Sequence, residues 1–311
     1  MGCTGMDSEA LETFLAVHRQ GGVSAAASAL SRTQSAISRR LALLEREVGA
    51  PLFERIGRGL VLSELGAALL PYAERVAAAI GDARSIVAEA SAGAVQMATV
   101  GTLANATLTN ALQRAKARHP TLDVRLQTAT SAEVSAKVRS GEVTVGLRYF
   151  EDTSPDLDCR VVQQEHLVVV CAAAHRFAGK RLKSLAQLAH ERWLAFPVQE
   201  RRGEAFAASV FAQFLTRGID LIDWVAIDGL TAQKRLVEAG FGLALLQASA
   251  VEEELAHGSL ALVRVDDLSV SIPVARLVRR GGHLSAGAQV LLRELGRPSN
   301  IRHTRAQTRR P

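Results

Sequence analysis

Apolar residues recur at helical spacing near the amino terminus of the chain. Ile37, Leu41, Leu44 and Val48 stand at i, i+4, i+7 and i+11, a buried stripe on a helix that starts after Thr33. Thr33 is suited to cap that helix, because its hydroxyl can accept an amide hydrogen left orphaned in the first turn. At about 100° per residue, Ser35, Ser38, Arg39 and Ala42 fall on a different face, which is short, polar and cationic. Such a face fits the major groove of B-DNA: small side chains permit close approach, Arg39 can read guanine, and Gln34 at the helix start can reach adenine. The same pattern also describes an ordinary solvated amphipathic helix.

The flanking segments separate the two readings. Leu11, Phe14, Leu15 and His18 mark a preceding helix that Gly21-Gly22 breaks, and Ser24 is expected to cap a short helix from Ala25 to Leu30. A small-residue helix, a three-residue turn and a polar helix predict a helix-turn-helix. The run from Phe53 to Leu62, turning at Gly57 and Gly59, predicts a small hairpin that sets Arg55 and Arg58 beside the groove, positioned for phosphates.

Ser63 is placed to cap a long helix reaching to about Ser91. Along it Leu65, Leu69, Tyr72, Val76, Ala79, Ala83, Ile86 and Ala90 alternate in steps of four and three, a heptad seam. The seam is read as intermolecular, with packing on the protein's own core as the alternative. Pro71 is expected to bend the helix or to cost it a hydrogen bond. Ala92-Gly93-Ala94 reads as a hinge. Beyond it strands and helices alternate: Gln96 to Gly101, a helix from Asn105 to Arg118, Leu122 to Thr128, a helix capped by Ser131, and Val143 to Leu147. A second set holds strands at His166 to Ala172, Trp193 to Phe196, Trp224 to Ile227 and Gly242 to Leu246, with helices Gly203 to Arg217 and Leu230 to Ala239. Leu260 to Val265 and Val270 to Leu277 are strand-like, and Ser285 to Leu295 is a closing helix. This alternation predicts βαβ units around a parallel sheet.

The amino-terminal residues resemble those of LysR-type transcriptional regulators. The resemblance is carried by Ala25-Ala26 with Leu30, Thr33-Gln34-Ser35-Ala36-Ile37-Ser38, Leu44-Glu45, Gly49, Leu52-Phe53-Arg55 and Leu62-Ser63-Gly66. Gly22, where Ser is usual, and Ser63, where Thr is usual, are mild departures. The resemblance implies that Gln34, Ser35, Ser38 and Arg39 face bases and Arg55 the backbone. It further implies that the long helix dimerises the protein, with Leu65, Leu69, Tyr72, Val76 and Ile86 in the seam, and that a homodimer pairs again into a dimer of dimers. Double-stranded DNA is then the main partner, and RNA polymerase a candidate one.

A looser resemblance continues through His119-Pro120, Gly141-Glu142-Val143, Leu167-Val168-Val169, His175 with Ala178, and Val237, Gly240 and Gly242. It implies an effector domain similar to a periplasmic binding protein, with two α/β lobes, two crossing strands and a ligand in the cleft. Thr144 stands where many relatives carry Asp, and Gln247 where many carry Pro. The expected organisation is multi-domain: an all-α winged helix-turn-helix over 6–63, a linker and dimerisation helix over 64–91, a two-lobed α/β effector domain over 92–298, and a basic, disordered tail over 299–311. The first lobe takes 92–162 and 268–298, and the second 163–267.

In open α/β sheets ligands bind beyond the carboxyl ends of strands, beside helix amino termini. That geometry selects Thr102, Thr130, Ser131, Arg148, Pro197 and Arg202. Thr102, Thr130 and Ser131 offer hydroxyls and amides to a carboxylate, and Arg148 with Arg201 or Arg202 the countercharge. The alternative is that these are ordinary caps and solvated arginines. The expected effector is a small molecule, with an anionic metabolite as the candidate.

Composition changes this picture little. The chain has 311 residues, 48% of them hydrophobic and 4% aromatic, enough for proper cores but a poor basis for base stacking on single strands. The net charge of +6 is not in itself a sign of DNA binding, because the tail's Arg297, Arg302, Arg305, Arg309 and Arg310 supply five of those six charges. No apolar run spans a bilayer, no signal peptide is visible, and Met6 is a candidate natural start, so a cytoplasmic protein is expected. Cys3, Cys159 and Cys171 suggest a reducing compartment; a redox switch between Cys159 and Cys171 competes with inert thiols. No metal-ligand spacing, phosphate loop or nucleophile elbow is present, and neither a cofactor nor an enzymatic activity is expected. The sequence therefore predicts a DNA-binding regulator modulated by a small effector. The alternatives are an effector-independent or redox-responsive regulator, or a cytoplasmic solute-binding protein.

Overall fold

Asp7 accepts a hydrogen bond from the Ala10 amide at 2.7 Å and so starts the first helix, α1 (Ser8–Gln20), which Gly21 ends at φ +70°. The protein's structure is a computed structural model that describes residues 6–56, 59–89, 94–197 and 211–297. Two further helices follow, α2 (Val23–Ala29) and α3 (Gln34–Val48). Ser24 does not cap α2: the extended Gly22 holds that position, its carbonyl already accepting from the Ala26 amide at 3.0 Å, so the helix begins a residue before Ser24. Leu11, Phe14, Ala26, Ile37, Leu41 and Leu44 bury one core among the three helices. The wing is a hairpin of β1 (Phe53–Ile56) and β2 (Gly59–Leu62), whose Phe53 ring lies 5.4 Å from that of Phe14. Gly57 and Arg58 lie outside the described residues.

Ser63 caps the long helix α4 (Glu64–Glu89) as expected: its Oγ accepts from the Gly66 amide at 3.0 Å and donates to the Pro51 carbonyl at 2.7 Å. At Gly66 the helix runs against the Leu52 carbonyl so closely that a Cβ would stand 2.1 Å from that oxygen. Pro71 sits inside the helix. Three faces of α4, each about a third of a turn from the next, do different work. Leu69, Leu70, Ala73 and Ala77 pack on the helix-turn-helix core. Ala78 and Asp82 meet the following α/β part: Arg279 pairs with Asp82, and Gly141, at φ +72°, brings its backbone against Ala78. The third face leaves Leu65, Tyr72, Val76 and Ile86 exposed, Tyr72 by 60% and Ile86 by 54%. Leu69, expected in that seam, is instead turned toward the helix-turn-helix.

The α/β part begins with three parallel strands, β3 (Ala94–Thr99), β4 (Asp123–Thr128) and β5 (Val145–Tyr149), linked by α5 (Ala106–Arg118) and α6 (Ser131–Arg139). Beyond these strands parallel and antiparallel pairings mix. A strand of 16 residues, β6 (Leu157–Ala172), runs antiparallel to every strand it touches. Its first half pairs with β12 (Ser271–Arg279), and its second half lies between β10 (Ala244–Gln247) and β11 (Leu260–Val265). β12 also pairs antiparallel with β5 of the first lobe, so β6 runs from the first lobe into the second. The two residues of β7 (Arg181–Leu182) extend β11. The second lobe adds β8 (Trp193–Ala195) beside β9 (Trp224–Ala226), with α7 (Leu230–Glu238) and α8 (Glu252–His257). Helix α9 (Ala286–Leu295), capped by Ser285, returns to pack on α5 in the first lobe. One apolar core runs through both lobes, from Met97 and Tyr149 to Cys171, Trp193 and Leu243. The expected helix from Gly203 is described only from residue 211 onward, and the basic tail lies outside the described residues, as do the Ala92-Gly93 hinge and Ala90.

Candidate functional site

The start of α3 is built as the sequence implied. Thr33 Oγ1 accepts from the Ala36 amide at 3.2 Å and lies 3.1 Å from Ser35 Oγ. Burying Ile37, Leu41 and Leu44 turns Gln34, Ser35, Ser38, Arg39 and Ala42 outward together, all exposed. Arg39 makes no ion pair among the described residues. Arg55 is exposed on β1, and Glu45 fixes the base of the wing by accepting from the Leu52 amide at 2.8 Å. Two cations beside this face escaped the sequence reading. Arg32, immediately before the cap, pairs with Glu9 at 2.9 Å, and Arg40 pairs with Glu9 at 2.8 Å and with Asp7 at 3.5 Å. Their acids lie more than twenty residues away, so no local spacing signals them.

Between the lobes the candidate ligand groups separate into those that meet and those that do not. Thr102 Oγ1 lies 2.8 Å from the Tyr149 hydroxyl, and Gln247 Nε2 donates to both, at 2.8 Å to Tyr149 and 3.4 Å to Thr102. Thr102 and Tyr149 belong to the first lobe and Gln247 to the second. A parallel bridge runs from Asn105 Nδ2 to Ser249 Oγ at 3.0 Å and on to Glu165 Oε1 at 2.9 Å. Glu165 is buried, and that burial pushes its carboxyl above the ordinary range, against the hydrogen bond from Ser249. Gln247 is fully buried, and its Oε1 has no hydrogen-bond partner among the described residues.

Three expected ligand groups are otherwise engaged. Thr130, not Ser131, caps α6: its hydroxyl accepts from the Glu133 amide at 3.3 Å and its own amide donates to the Glu133 carboxylate at 2.9 Å in a capping box, while Ser131 is buried in the first turn. Arg148 is not a free countercharge, because it holds Asp152 at 2.9 Å, Ser135 Oγ at 2.7 Å and the Tyr149 carbonyl at 3.1 Å. Along β5 successive side chains point to opposite faces, which sends Tyr149 to the interlobe network and Arg148 away from it. Pro197 is half-buried at the edge of the described residues, and Arg201 and Arg202 lie outside them. Asn105, Ser249 and Glu165 carried no motif; Gln247 was visible only as a departure from the usual Pro.

Cys159 and Cys171 sit twelve positions apart on the same strand. At about 3.3 Å per residue that is roughly 40 Å, far beyond disulfide reach. Burial also pushes both thiols up, Cys171 to about 11. An intramolecular switch between them is ruled out. Among the described residues no group of three or more His, Cys, Asp or Glu could hold a metal ion, and no helix is long and apolar enough to cross a membrane.

Comparison with known proteins agrees with this architecture. Residues 88–297 match the family model of the LysR substrate binding domain, and residues 8–67 match the bacterial regulatory helix-turn-helix protein, lysR family. The HTH-type transcriptional regulator TcbR of Pseudomonas sp. is 28% identical over 279 residues, covering 88% of this chain and 93% of that protein. The RuBisCO operon transcriptional regulator of Allochromatium vinosum is 26% identical over 281 residues, 89% of this chain and 91% of its own length. Full-length CbnR in complex with its target DNA superposes with a TM-score of 0.58 at 25% identity, over 93% of this chain and 99% of CbnR. A full-length OxyR variant from Pseudomonas aeruginosa shares the fold, with a TM-score of 0.65 at 18% identity over 94% of this chain and 95% of that one. With both family models matched in sequence order onto a winged helix-turn-helix and a two-lobed domain, the chain belongs to the LysR family of DNA-binding transcriptional regulators.

Proposed function

We propose that α3 enters the major groove with Gln34, Ser35, Ser38 and Arg39 against base edges, while Arg55 and the wing, including Arg58, lie on the phosphate backbone. The observation that carries this reading is the outward polar face of α3, which the capping Thr33 and the buried Ile37–Leu41–Leu44 stripe orient. The complex of CbnR, which shares this architecture, with its target DNA supports it. The exposed row Leu65, Tyr72, Val76 and Ile86 suits a homodimer through α4, which would present two reading heads to a partly palindromic site. A tetramer built as a dimer of dimers, and contact with RNA polymerase, extend this proposal, as does a cytoplasmic location. The reading assigns no catalytic step and no cofactor.

The effector is proposed to act at the interlobe network. A ligand that touches Thr102, Tyr149 or Gln247 in only one lobe arrangement shifts the equilibrium between arrangements by its differential affinity. With Arg148 already neutralised by Asp152, an anionic metabolite would draw its countercharge from Arg201 or Arg202 and its hydrogen bonds from Thr102, Tyr149 and Gln247. A fluorescence-anisotropy titration against DNA upstream of the protein's own gene, with unrelated duplex as competitor, tests the DNA reading. Binding that survives competitor supports it; equal, low-salt binding to both duplexes overturns it. Repeating the titration with a panel of small carboxylates and uncharged metabolites tests the effector, whose signature is a shifted midpoint. A redox-responsive regulator is disfavoured by the separation of the two strand cysteines, and an effector-independent one predicts no shift with any ligand.

A further inference from the structure

The paired arginines beside the reading helix point to a function that base contacts do not supply. Asp7 and Glu9 lie at the first turn of α1, where the helix dipole favours acids, and Asp7 is already the cap. Glu9 does more than decorate that turn. Its two oxygens hold two different arginines, Arg32 from the turn before α3 and Arg40 from α3 itself. A groove of about 500 Å³ separates the helices, with Asp7, Glu9 and Glu12 on one wall and Arg32, Arg39 and Arg40 on the other. Three residues of the clamp are well exposed, the side chains of Arg32 and Asp7 by 58% and that of Glu9 by 43%, while Arg40 is half-buried.

A duplex seated on α3 brings phosphates to this groove. Arg32 stands at the amino end of the reading helix, where amides and dipole already attract an anion, and Arg40 stands on its flank. Exposed ion pairs are weak, so a phosphate can take either arginine from its carboxylate. When it does, Glu9 and Asp7 are left facing the phosphate, and the exchange is opposed on every DNA sequence alike. Gln34, Ser35, Ser38 and Arg39 are not in the clamp, and their base contacts carry no such opposition.

We propose that Glu9, assisted by Asp7, attenuates backbone binding: it holds Arg32 and Arg40 in a carboxylate clamp with which DNA phosphates must compete, lowering affinity for every duplex by a similar factor. Arg32 and Arg40 are thereby assigned as backbone-contacting residues. The charge bookkeeping is local: two acids and two arginines sum to zero where an unclamped face would carry two positive charges.

The test uses the full-length protein and two duplexes of equal length, one enriched by the wild-type protein from a random-sequence pool and one unrelated. Anisotropy titrations across a salt series give an affinity and a salt slope for each. Glu9→Gln should tighten binding to both duplexes by about two- to fivefold. Its slope of log affinity against log salt should steepen by about one. Arg32→Ala and Arg40→Ala should weaken both duplexes alike and flatten the slope by about one each. Asp7→Asn, which keeps the capping oxygen, should shift binding in the direction of Glu9→Gln but less, and serves if Glu9→Gln folds poorly. Weaker binding of Glu9→Gln to both duplexes, or an affinity and salt slope unchanged from wild type, overturns the proposal. The wild-type ratio between the two duplexes measures the DNA-reading assignment separately.

Discussion

Gln247 and Tyr149 come from different lobes, and the Gln247 amide donates to the Tyr149 hydroxyl at 2.8 Å with both side chains buried. A buried hydrogen bond of this kind is costly to leave half-made, about 1–3 kcal/mol when one partner is removed. Gln247→Leu and Tyr149→Phe should each destabilise the protein by about that amount, while the double variant should cost less than their sum. Urea unfolding of the four proteins measures the coupling. Additive losses would show that the contact does not hold the lobes.

Asp152 carries the pH dependence of the neighbouring corner. Burial would raise its carboxyl, but hydrogen bonds from Ser135 and Ser154 and the Arg148 guanidinium overcome this and hold it at about 2. The folded value lies below the ordinary 3.8, so the ionised group stabilises the fold above about pH 4, and that contribution is lost as pH falls toward about 2. Thermal melts of Asp152→Asn should accordingly be flatter than wild type across that window. Parallel curves for the two proteins would refute the assignment.

Ser38 is exposed on the outward polar face of α3. Ser38→Glu should abolish DNA binding by setting a carboxylate against the duplex, with its melting curve unchanged. Arg39→Ala should lose discrimination between duplexes by about tenfold or more, the scale of one specific base contact. Specific binding retained by Ser38→Glu would remove α3 from the groove.

Tyr72, Val76 and Ile86 form the uncovered row on α4. Val76→Glu with Ile86→Glu should shift sedimentation toward monomer and weaken operator binding, while leaving the helix-turn-helix core intact. An unchanged sedimentation profile would move the dimer contact off this helix.

The two strand cysteines provide a negative control on redox control. Treatment with peroxide should not produce a disulfide between Cys159 and Cys171, as mapped by mass spectrometry of tryptic peptides, because the strand holds them roughly 40 Å apart. A linked peptide pair would require β6 to be broken.

The helix-turn-helix was legible because its determinants are local. Thr33 caps the helix that follows it, Ile37, Leu41 and Leu44 repeat at its period, and Ser63 announces α4 by the same chemistry. Those elements are set within a few residues. The first half of β6 was not legible, because its half-exposed run through Arg160, Gln163 and Gln164 lacks the apolar density that marks a strand. It exists because β12 pairs with it, more than a hundred residues later.

The sequence by itself determined the helix-turn-helix, the outward polar face of α3 and the exposed row on α4, since helical period and capping act over one or two turns. Only the tertiary structure decided the partners of charged and polar groups. It turned Leu69 onto the helix-turn-helix, gave Arg148 to Asp152, brought Gln247 to Tyr149 across the lobes, and closed Glu9 on Arg32 and Arg40. Each of those contacts depends on where distant segments are packed, and no spacing along the chain encodes it.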